Sequence, residues 1–271
     1  MWDDYIKYTN GRGQVLHLGK KPYYIEESDL RNFEWSYNQA NGKLNKFKRD
    51  TRTNSIVVKV IGNQSDIDAV YDITQADIVD YSYGTLEING YTYMCRIYAG
   101  EYSEYLMSKK YCKISLKVVS PYPVWMSFTP YRFIKTVEVA AAGKSYPYGY
   151  DYDYGEGGLA NSVDGKGIEP NGFQMIIKGP VSNPEVVIGE HMYKVNTDVK
   201  VGETLTITAY GGKKTIYREG LTLSPVNEYS KRYLPESVFE PIQIGRQPVI
   251  WDGTFAFDLT LVEERSTPPW I

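Results

Sequence analysis

The dipeptide Asn89-Gly90 constrains the fold of this chain more than any other feature. It separates two β-rich runs, residues 85–88 and 91–95. Asparagine and glycine tolerate the positive φ angles that both central positions of a two-residue hairpin turn require. The sequence therefore predicts a β-hairpin at this point.

Most other predicted elements are short strands that alternate apolar and polar residues and end near glycine turns. They lie at residues 55–61, 114–118, 173–177, 186–188, 192–195, 204–208, 215–217 and 255–261. No strand–helix repetition of a parallel sheet is visible. The pattern predicts a mainly β protein, with a β-sandwich-like first domain followed by an antiparallel β-sandwich.

One helix is predicted inside the first domain. Ser65 is its candidate N-cap, and the acidic residues that follow favour a first helical turn. An apolar stripe at helical spacing then comprises Ile67, Val70, Tyr71, Ile73 and Thr74. We expect this stripe to pack on the sheet.

The domain boundary is predicted where prolines break the strand pattern, at Pro121-Tyr122-Pro123-Val124-Trp125. We assign residues 1–125 to the first domain and 126–134 to a linker. Residues 135–271, including a C-terminal tail, form the second domain. Each part is long enough to bury a core of its own.

Strand signals fail between residues 37 and 53, where Asn41-Gly42 predicts a hairpin that protrudes as an arm at about residues 38–53. The segment carries one acid, Asp50, against the basic cluster Lys43, Lys46, Lys48, Arg49 and Arg52. Such a cluster is commonly a solvated hairpin face. The alternative is an arm that reaches a neighbouring subunit or an acidic surface.

A tyrosine-rich run, YPYGYDYDYG at residues 146–155, is the other candidate contact surface. Its central tyrosines are Tyr148, Tyr150 and Tyr152, and the whole chain has 26 tyrosines against 8 phenylalanines. Tyrosines supply rigid, half-polar contact area at low entropic cost. The alternative interpretation is a mobile, soluble loop.

Composition excludes several classes. A net charge of −3 argues against a general nucleic-acid binder. No apolar run is long enough for a membrane span. The acidic start of the chain has no apolar stretch behind it, so no signal peptide is expected.

Catalytic and metal-binding motifs are also missing from the sequence. It has no Gly-x-Ser-x-Gly elbow and no phosphate loop, and His17 and His191 lack partners at metal-ligand spacing. Asp151-Tyr152-Asp153 matches the start of a calcium loop, but the later ligand positions do not. We expect no catalytic, cofactor or metal residues. Glycosidase carboxylates pair only in space, so a cell-wall glycan hydrolase stays open as an alternative.

The two cysteines, Cys95 and Cys112, both fall on apparent core faces. A hairpin around residues 100–107 would bring them opposite one another, so a disulfide is geometrically conceivable. A protein made in the cytosol usually keeps such thiols reduced. Free, buried thiols are the favoured expectation.

The order of motifs along the chain resembles a distal tail protein of long-tailed, non-contractile bacteriophages and related prophages. The first half matches in GKKPYY (19–24), FEWSY (33–37), ADI (76–78), GTLEING (84–90) and SPYPVW (120–125). The second half matches in YPYGYDY (146–152), IKGPVSNP (177–184), VGETL (201–205) and ERSTPPW (264–270). The resemblance covers nearly the whole chain.

This resemblance implies a structural virion protein at the tail tip, or baseplate hub, assembled in the host bacterial cytoplasm. An N-terminal β domain with one helix would form a ring, generally a hexamer, from which a galectin-like sandwich projects. The ring would join the tail tube protein to a tail-associated hub protein and the host-recognition apparatus, including a receptor-binding protein. The basic segment corresponds to the arm that some family members use as a belt around the ring.

A galectin-like fold also raises carbohydrate binding as an alternative function. The galectin sugar site needs a stacking tryptophan beside a His-x-Asn-Pro-Arg run. This chain has Trp251 and His191 but no such run. Fold-level analogy alone does not establish binding, and we expect Trp251 to be a packing residue.

Overall fold

A computed structural model describes residues 6–106, 110–135, 162–221 and 223–270. This part of the chain is mainly β and contains one α-helix, which confirms the predicted fold class. The chain divides into two compact units. Unit 1 comprises Met1–Ser127 with Glu264–Ile271, and unit 2 comprises Phe128–Glu263.

Unit 1 is built from antiparallel strands and a helix. In chain order these are β1 Ile6–Thr9, β2 Val15–Leu18, β3 Tyr23–Ser28, β4 Ser36–Ala40, β5 Lys43–Lys48, β6 Arg52–Ile61, α1 Gln64–Val79, β7 Gly84–Ile88, β8 Tyr91–Leu106 and β9 Tyr111–Ser120. One sheet has the order β2-β1-β7-β8, and the other has the order β3-β6-β9-β8. The long strand β8 belongs to both.

The core of unit 1 follows the alternation seen in the sequence. Every second residue of β6 and β9 is buried, and Ile56, Val58 and Val60 lie opposite apolar partners on β9. Beside them Trp125 is buried and stacks on Tyr93 with ring centroids 4.9 Å apart. Burying each large apolar side chain contributes about 1.5–3 kcal/mol, so this stripe holds the two sheets together.

The Asn89-Gly90 turn is confirmed. Asn89 has a φ of 51° and Gly90 a φ of 78°, and the turn joins β7 directly to β8. Positive φ at both positions matches the right-handed twist of the paired strands.

The N-cap of α1 is Asn63, so the assignment of the cap to Ser65 is wrong. Asn63 has extended backbone angles, and its N–H donates to the Asp66 carboxylate at 2.7 Å. Asparagine is as good a cap as serine, and Asp66 three residues later completes the reciprocal pair.

The buried face of α1 contains Ile67, Val70 and Thr74, as predicted, and Ile73 packs at its margin. Tyr71 does not belong to it, because its side chain is 59% exposed. It follows Val70 by one residue, or about 100° around the helix, which turns it away from the sheet.

Cys95 and Cys112 do not face each other, so the conceivable disulfide pairing is wrong. Cys95 lies opposite Gly84 on β7, whereas Cys112 lies opposite Tyr105 at the far end of β8. Strand β8 stays paired with β9 as far as Leu106, so residues 100–106 belong to the strand rather than to a turn. Both thiols are free and buried, and burial raises the pKa of each.

The predicted linker at residues 126–134 is instead part of a strand, β10 Trp125–Phe133. Pro121 and Pro123 end β9, but the apolar and aromatic residues after them resume an extended chain. The boundary between the units falls inside β10, after Ser127.

Unit 2 consists of short antiparallel strands: β11 Ser162–Gly165, β12 Gly172–Lys178, β13 Val181–Ser182, β14 Glu185–Ile188, β15 His191–Lys194, β16 Asp198–Val199, β17 Glu203–Tyr210, β18 Lys213–Gly220, β19 Leu223–Asn227, β20 Gly245–Ile250 and β21 Ala256–Arg265. Strands β19-β18-β17-β12-β21 are neighbours in one sheet and β11-β20-β14-β15 in another. Their inward residues form one buried cluster, in which Phe133 stacks on Phe257 at 4.4 Å.

The chain returns to unit 1 at the end of β21. Arg31 donates to the carbonyl oxygens of Pro268 and Pro269, both at 3.0 Å, and its guanidinium lies 4.0 Å from the Trp270 ring centre. Asn89 also donates to the Pro269 carbonyl. The tail that the sequence analysis assigned to the second domain is therefore bound to the first.

Candidate functional site

The β4–β5 hairpin is the most exposed ordered element of unit 1. Its two strands pair only with each other among the described residues, and every residue of β5 is exposed. Asn41 and Gly42 form the turn with φ angles of 49° and 73°. The predicted arm is thus a twisted two-stranded ribbon, and it occupies residues 36–48.

One face of this hairpin is apolar. Leu44 lies opposite Gln39, and Phe47 contacts Tyr37 with ring centroids 5.9 Å apart. A bulge at Lys46, whose φ is 47°, keeps Leu44 and Phe47 on the same side as Tyr37. These three side chains are 55–57% exposed. A clustered apolar face of this kind indicates an interaction surface.

The predicted basic cluster divides between the hairpin and its base. Lys43, Lys46 and Lys48 lie on β5, where Lys48 pairs with Asp50 at 2.9 Å. Neither Lys43 nor Lys46 forms an ion pair with another described residue. These two lysines therefore present their charge to solvent on the hairpin itself.

The remaining members of the cluster lie at the base of the hairpin. The Arg49 guanidinium lies 4.2 Å from the centre of the Trp35 ring, and Arg52 begins β6 opposite Ser120. Both arginines line a cavity of about 10 Å³, which has room for about one water molecule. The five cations that are close together in the sequence divide in the structure into three on the hairpin and two at its base.

The groove beside the start of α1 is larger, at about 200 Å³, and is lined by Ile67, Tyr105, Leu106 and Lys110. Pockets for drug-sized ligands usually measure about 300–1,000 Å³. Among the described residues, no three His, Cys, Asp or Glu side chains are grouped as metal ligands. The described part of the chain also has no helix with the length and apolar character to span a bilayer.

The side chains considered for sugar binding serve packing in unit 2. Trp251 packs edge-on against Phe133 and Phe257, and its Nε1 donates to the Phe255 carbonyl at 3.2 Å. One ring nitrogen of His191 contacts the Ser237 carbonyl oxygen at 2.8 Å. Trp251 is therefore a packing residue, as expected.

In unit 2, a network of ion pairs links strands β17 and β18 to the segment that follows β19. Glu228, with a side chain 1% exposed, accepts from Arg218 at 2.9 Å and from Lys231 at 2.8 Å. Arg218 also donates to Glu203 at 2.8 Å. Burial acts to raise the pKa of Glu228, but the hydrogen bonds from Lys231 and Arg218 outweigh it and lower the pKa. The pKa of Glu203 is lowered by the Lys200 backbone N–H and by Arg218.

The tyrosine-rich run, with Tyr148, Tyr150 and Tyr152, lies outside the described residues. Its predicted role in contacts therefore stays a prediction.

Comparison with known proteins finds similarity in fold but none in sequence. No protein-family model matches the sequence, and no curated protein matches it. A chain of the phage P2 baseplate in its activated conformation with Ca is 12% identical with a TM-score of 0.60, and the match covers 98% of this chain and 99% of that one. The same baseplate with Sr gives 11% identity, a TM-score of 0.59, and coverage of 97% and 99%.

A third match is the Dit protein of phage SPP1, described as a paradigm of the hub adsorption apparatus in phages that infect Gram-positive bacteria. It is 9% identical with a TM-score of 0.55, and the match covers 96% of this chain and 99% of that one. The chain has the fold of these phage baseplate and hub proteins.

Proposed function

We propose that this protein is a structural subunit of a bacteriophage distal tail, located at the tail tip of the virion. The observation that carries the proposal is the similarity of fold over nearly the full length of both compared chains. The order of sequence motifs points to the same group independently. Fold alone does not fix function, so the proposal also rests on the exposed surfaces of unit 1.

The subunit forms a ring through unit 1, with six copies as the expected number. A ring needs head-to-tail contacts that use two different surfaces of each copy. The β4–β5 hairpin supports this role because it exposes an apolar face and pairs with no other strand among the described residues. The ring joins the tail tube protein to the tail-associated hub protein and a receptor-binding protein.

Unit 2 acts as a docking or spacer module and the chain acts without catalysis. The tyrosine-rich run is its proposed contact surface. Replacing Tyr148, Tyr150 and Tyr152 together with serine is expected to weaken particle assembly or partner binding while the fold is kept. Hydrolysis of cell-wall glycan by the purified chain, abolished by changing one carboxylate, would overturn this part of the proposal.

Carbohydrate binding and glycan hydrolysis are the weaker candidates. Trp251 packs edge-on against Phe133 and Phe257, and its Nε1 donates to the Phe255 carbonyl, so its described contacts serve the core of unit 2. No feature of the described surface favours either activity over the structural role.

The solution mass of the full-length chain tests the proposal. Light scattering over a wide range of concentration, repeated with the tail tube protein, is expected to find species several times the 31.0 kDa of one chain. A chain that stays monomeric under both conditions counts against a ring. A reconstruction of the intact tail tip that lacks this chain would refute the location.

A further inference from the structure

We propose that the β4–β5 hairpin of one copy docks on a specific acidic and aromatic surface of a second copy. That surface, named here the α1–β8 patch, consists of Asp68, Tyr71, Asp72, Tyr102 and Tyr105. The inference rests on the proposed ring and identifies its two complementary surfaces.

The patch is acidic because of the composition of α1. The helix contains four aspartates and no lysine or arginine. Asp68 and Asp72 are exposed, and neither forms an ion pair with another residue in the described ranges. Lys110 lies near the start of the helix, but its Nζ donates to the side-chain oxygen of Asn63 at 3.2 Å. Among the described residues, the outer face of the helix therefore carries negative charge that no ion pair neutralises.

The same surface is rich in exposed aromatic side chains. Tyr71, Tyr102 and Tyr105 are 59%, 51% and 46% exposed. Tyr105 donates to Gln64 at 2.6 Å, which ties the end of β8 to the first turn of α1. Burial, and then the nearby Cys112, Asp68 and Tyr71, raise the pKa of Tyr102. Strand and helix thus present one continuous patch.

Strand β8 has a free edge beside this patch. Its residues 91–95 pair with β7, but beyond residue 97 no described strand occupies that edge, while β9 occupies the other. Residues 98–106 extend over about 30 Å at the usual rise per residue, longer than the hairpin's strands. They include no lysine or proline of the kind that usually protects a strand edge, although two bulges interrupt them.

The hairpin has the complementary chemistry. Lys43 and Lys46 supply positive charge, and Tyr37, Leu44 and Phe47 supply the apolar face. The patch supplies carboxylates and tyrosine rings. Two surfaces of opposite charge, each exposed in its own chain, define a head-to-tail contact of the kind that a closed ring repeats.

Charge reversal tests the contact in the full-length chain. In sedimentation over a range of concentration, K43E/K46E and D68K/D72K are each expected to raise the concentration for half-assembly by about tenfold or more. The chain with all four changes is expected to recover assembly, because the two reversed surfaces again attract. Matched controls in unit 2, K213E/K214E and E190K/E219K, change the net charge equally and are expected to have little effect.

A cross-link gives a second measurement. The K46C/D72C chain is expected to form intermolecular disulfides in a ladder of covalent oligomers, whereas K213C/D72C is not. If the wild-type chain assembles, both charge-reversed variants assemble equally well and the K46C/D72C variant forms no ladder, the docking is overturned and the proposed function still stands. If the wild-type chain remains monomeric and the K46C/D72C variant forms no ladder, the docking is overturned and the result counts against the ring as well.

Discussion

The Tyr8 hydroxyl donates a hydrogen bond to the Asp77 carboxyl group inside unit 1, and both side chains are 0% exposed. The other carboxyl oxygen of Asp77 accepts from the Gly11 N–H and from the Ser82 hydroxyl, both at 2.7 Å. Burial, and then the hydrogen bond with Asp77, raise the pKa of Tyr8. One carboxyl group therefore joins β1, the turn after it and the end of α1.

Replacing Asp77 with alanine is expected to destabilise unit 1 by about 2–4 kcal/mol, because three donors lose a buried acceptor. Tyr8→Phe should cost about 1–2 kcal/mol, since it removes only one of the bonds. Urea unfolding measures both. Asp72→Ala on the exposed side of the same helix is the control and should stay within about 0.5 kcal/mol. Equal effects of Asp77→Ala and Asp72→Ala would contradict this account.

Removal of the β4–β5 hairpin is expected to leave the thermal transition of unit 1 nearly unchanged while it weakens assembly. Ser36 and Lys48 are paired opposite each other, so residues 37–47 can be replaced by a short glycine linker. Arg49 is kept because it stacks on Trp35. Calorimetry and sedimentation check the two effects separately. Loss of folding would mean that the hairpin belongs to the core.

Both cysteines are expected to resist a thiol reagent in the folded chain. Cys95 and Cys112 are 0% exposed, and burial raises the pKa of each, so little reactive thiolate is present. Titration with a chromogenic disulfide should find no fast-reacting thiol in buffer and two in denaturant. Finding no titratable thiol in denaturant would reveal a Cys95–Cys112 disulfide and contradict the prediction.

Arg31→Ala is expected to release the C-terminal tail, because Arg31 binds two of its carbonyl groups and stacks on Trp270. Carboxypeptidase should then remove the tail several times faster than in the wild type. Arg12→Ala breaks a different surface pair, with Asp80, and serves as the control. Equal digestion rates in all three chains would show that Arg31 does not hold the tail.

Acid is expected to destabilise unit 2. The pKa values of Glu203 and Glu228 are lowered from 4.5 in the fold. A carboxylate whose pKa is lowered by folding stabilises the folded state at any pH above its pKa in the unfolded chain. That stabilisation is lost as the pH falls through its pKa in the folded chain. The unfolding midpoint should drop between about pH 5 and pH 3. Arg218→Ala should flatten this dependence, and Arg246→Ala, whose Nε donates to the Ser162 hydroxyl, should not.

Local sequence signals predicted the strands and turns well, because their causes lie within a few residues. The Asn89-Gly90 and Asn41-Gly42 turns need only positive φ, and the strand alternation needs only a buried face. The helix cap was misplaced by two residues because Asn63 and Ser65 are both good caps. Propensity alone cannot choose between neighbours of equal quality.

Contacts between distant segments were beyond the reach of such patterns. Arg31 binds carbonyl groups 237 and 238 residues away, and nothing near Arg31 marks it as their partner. Whether Cys95 and Cys112 could face each other depended on where β8 ends and on two bulges within it. The α1–β8 patch combines residues of a helix and a strand that are far apart in the sequence and become neighbours only in the folded unit.

The insertion of unit 2 between Ser127 and Glu264 has a mechanical consequence. A load applied to unit 2 reaches unit 1 along two covalent paths, through β10 and through β21, instead of one tether. Each path carries only part of the force, and neither allows free swivelling about a single bond. In the proposed role at a tail tip, a connection of this kind would transmit torque as well as tension.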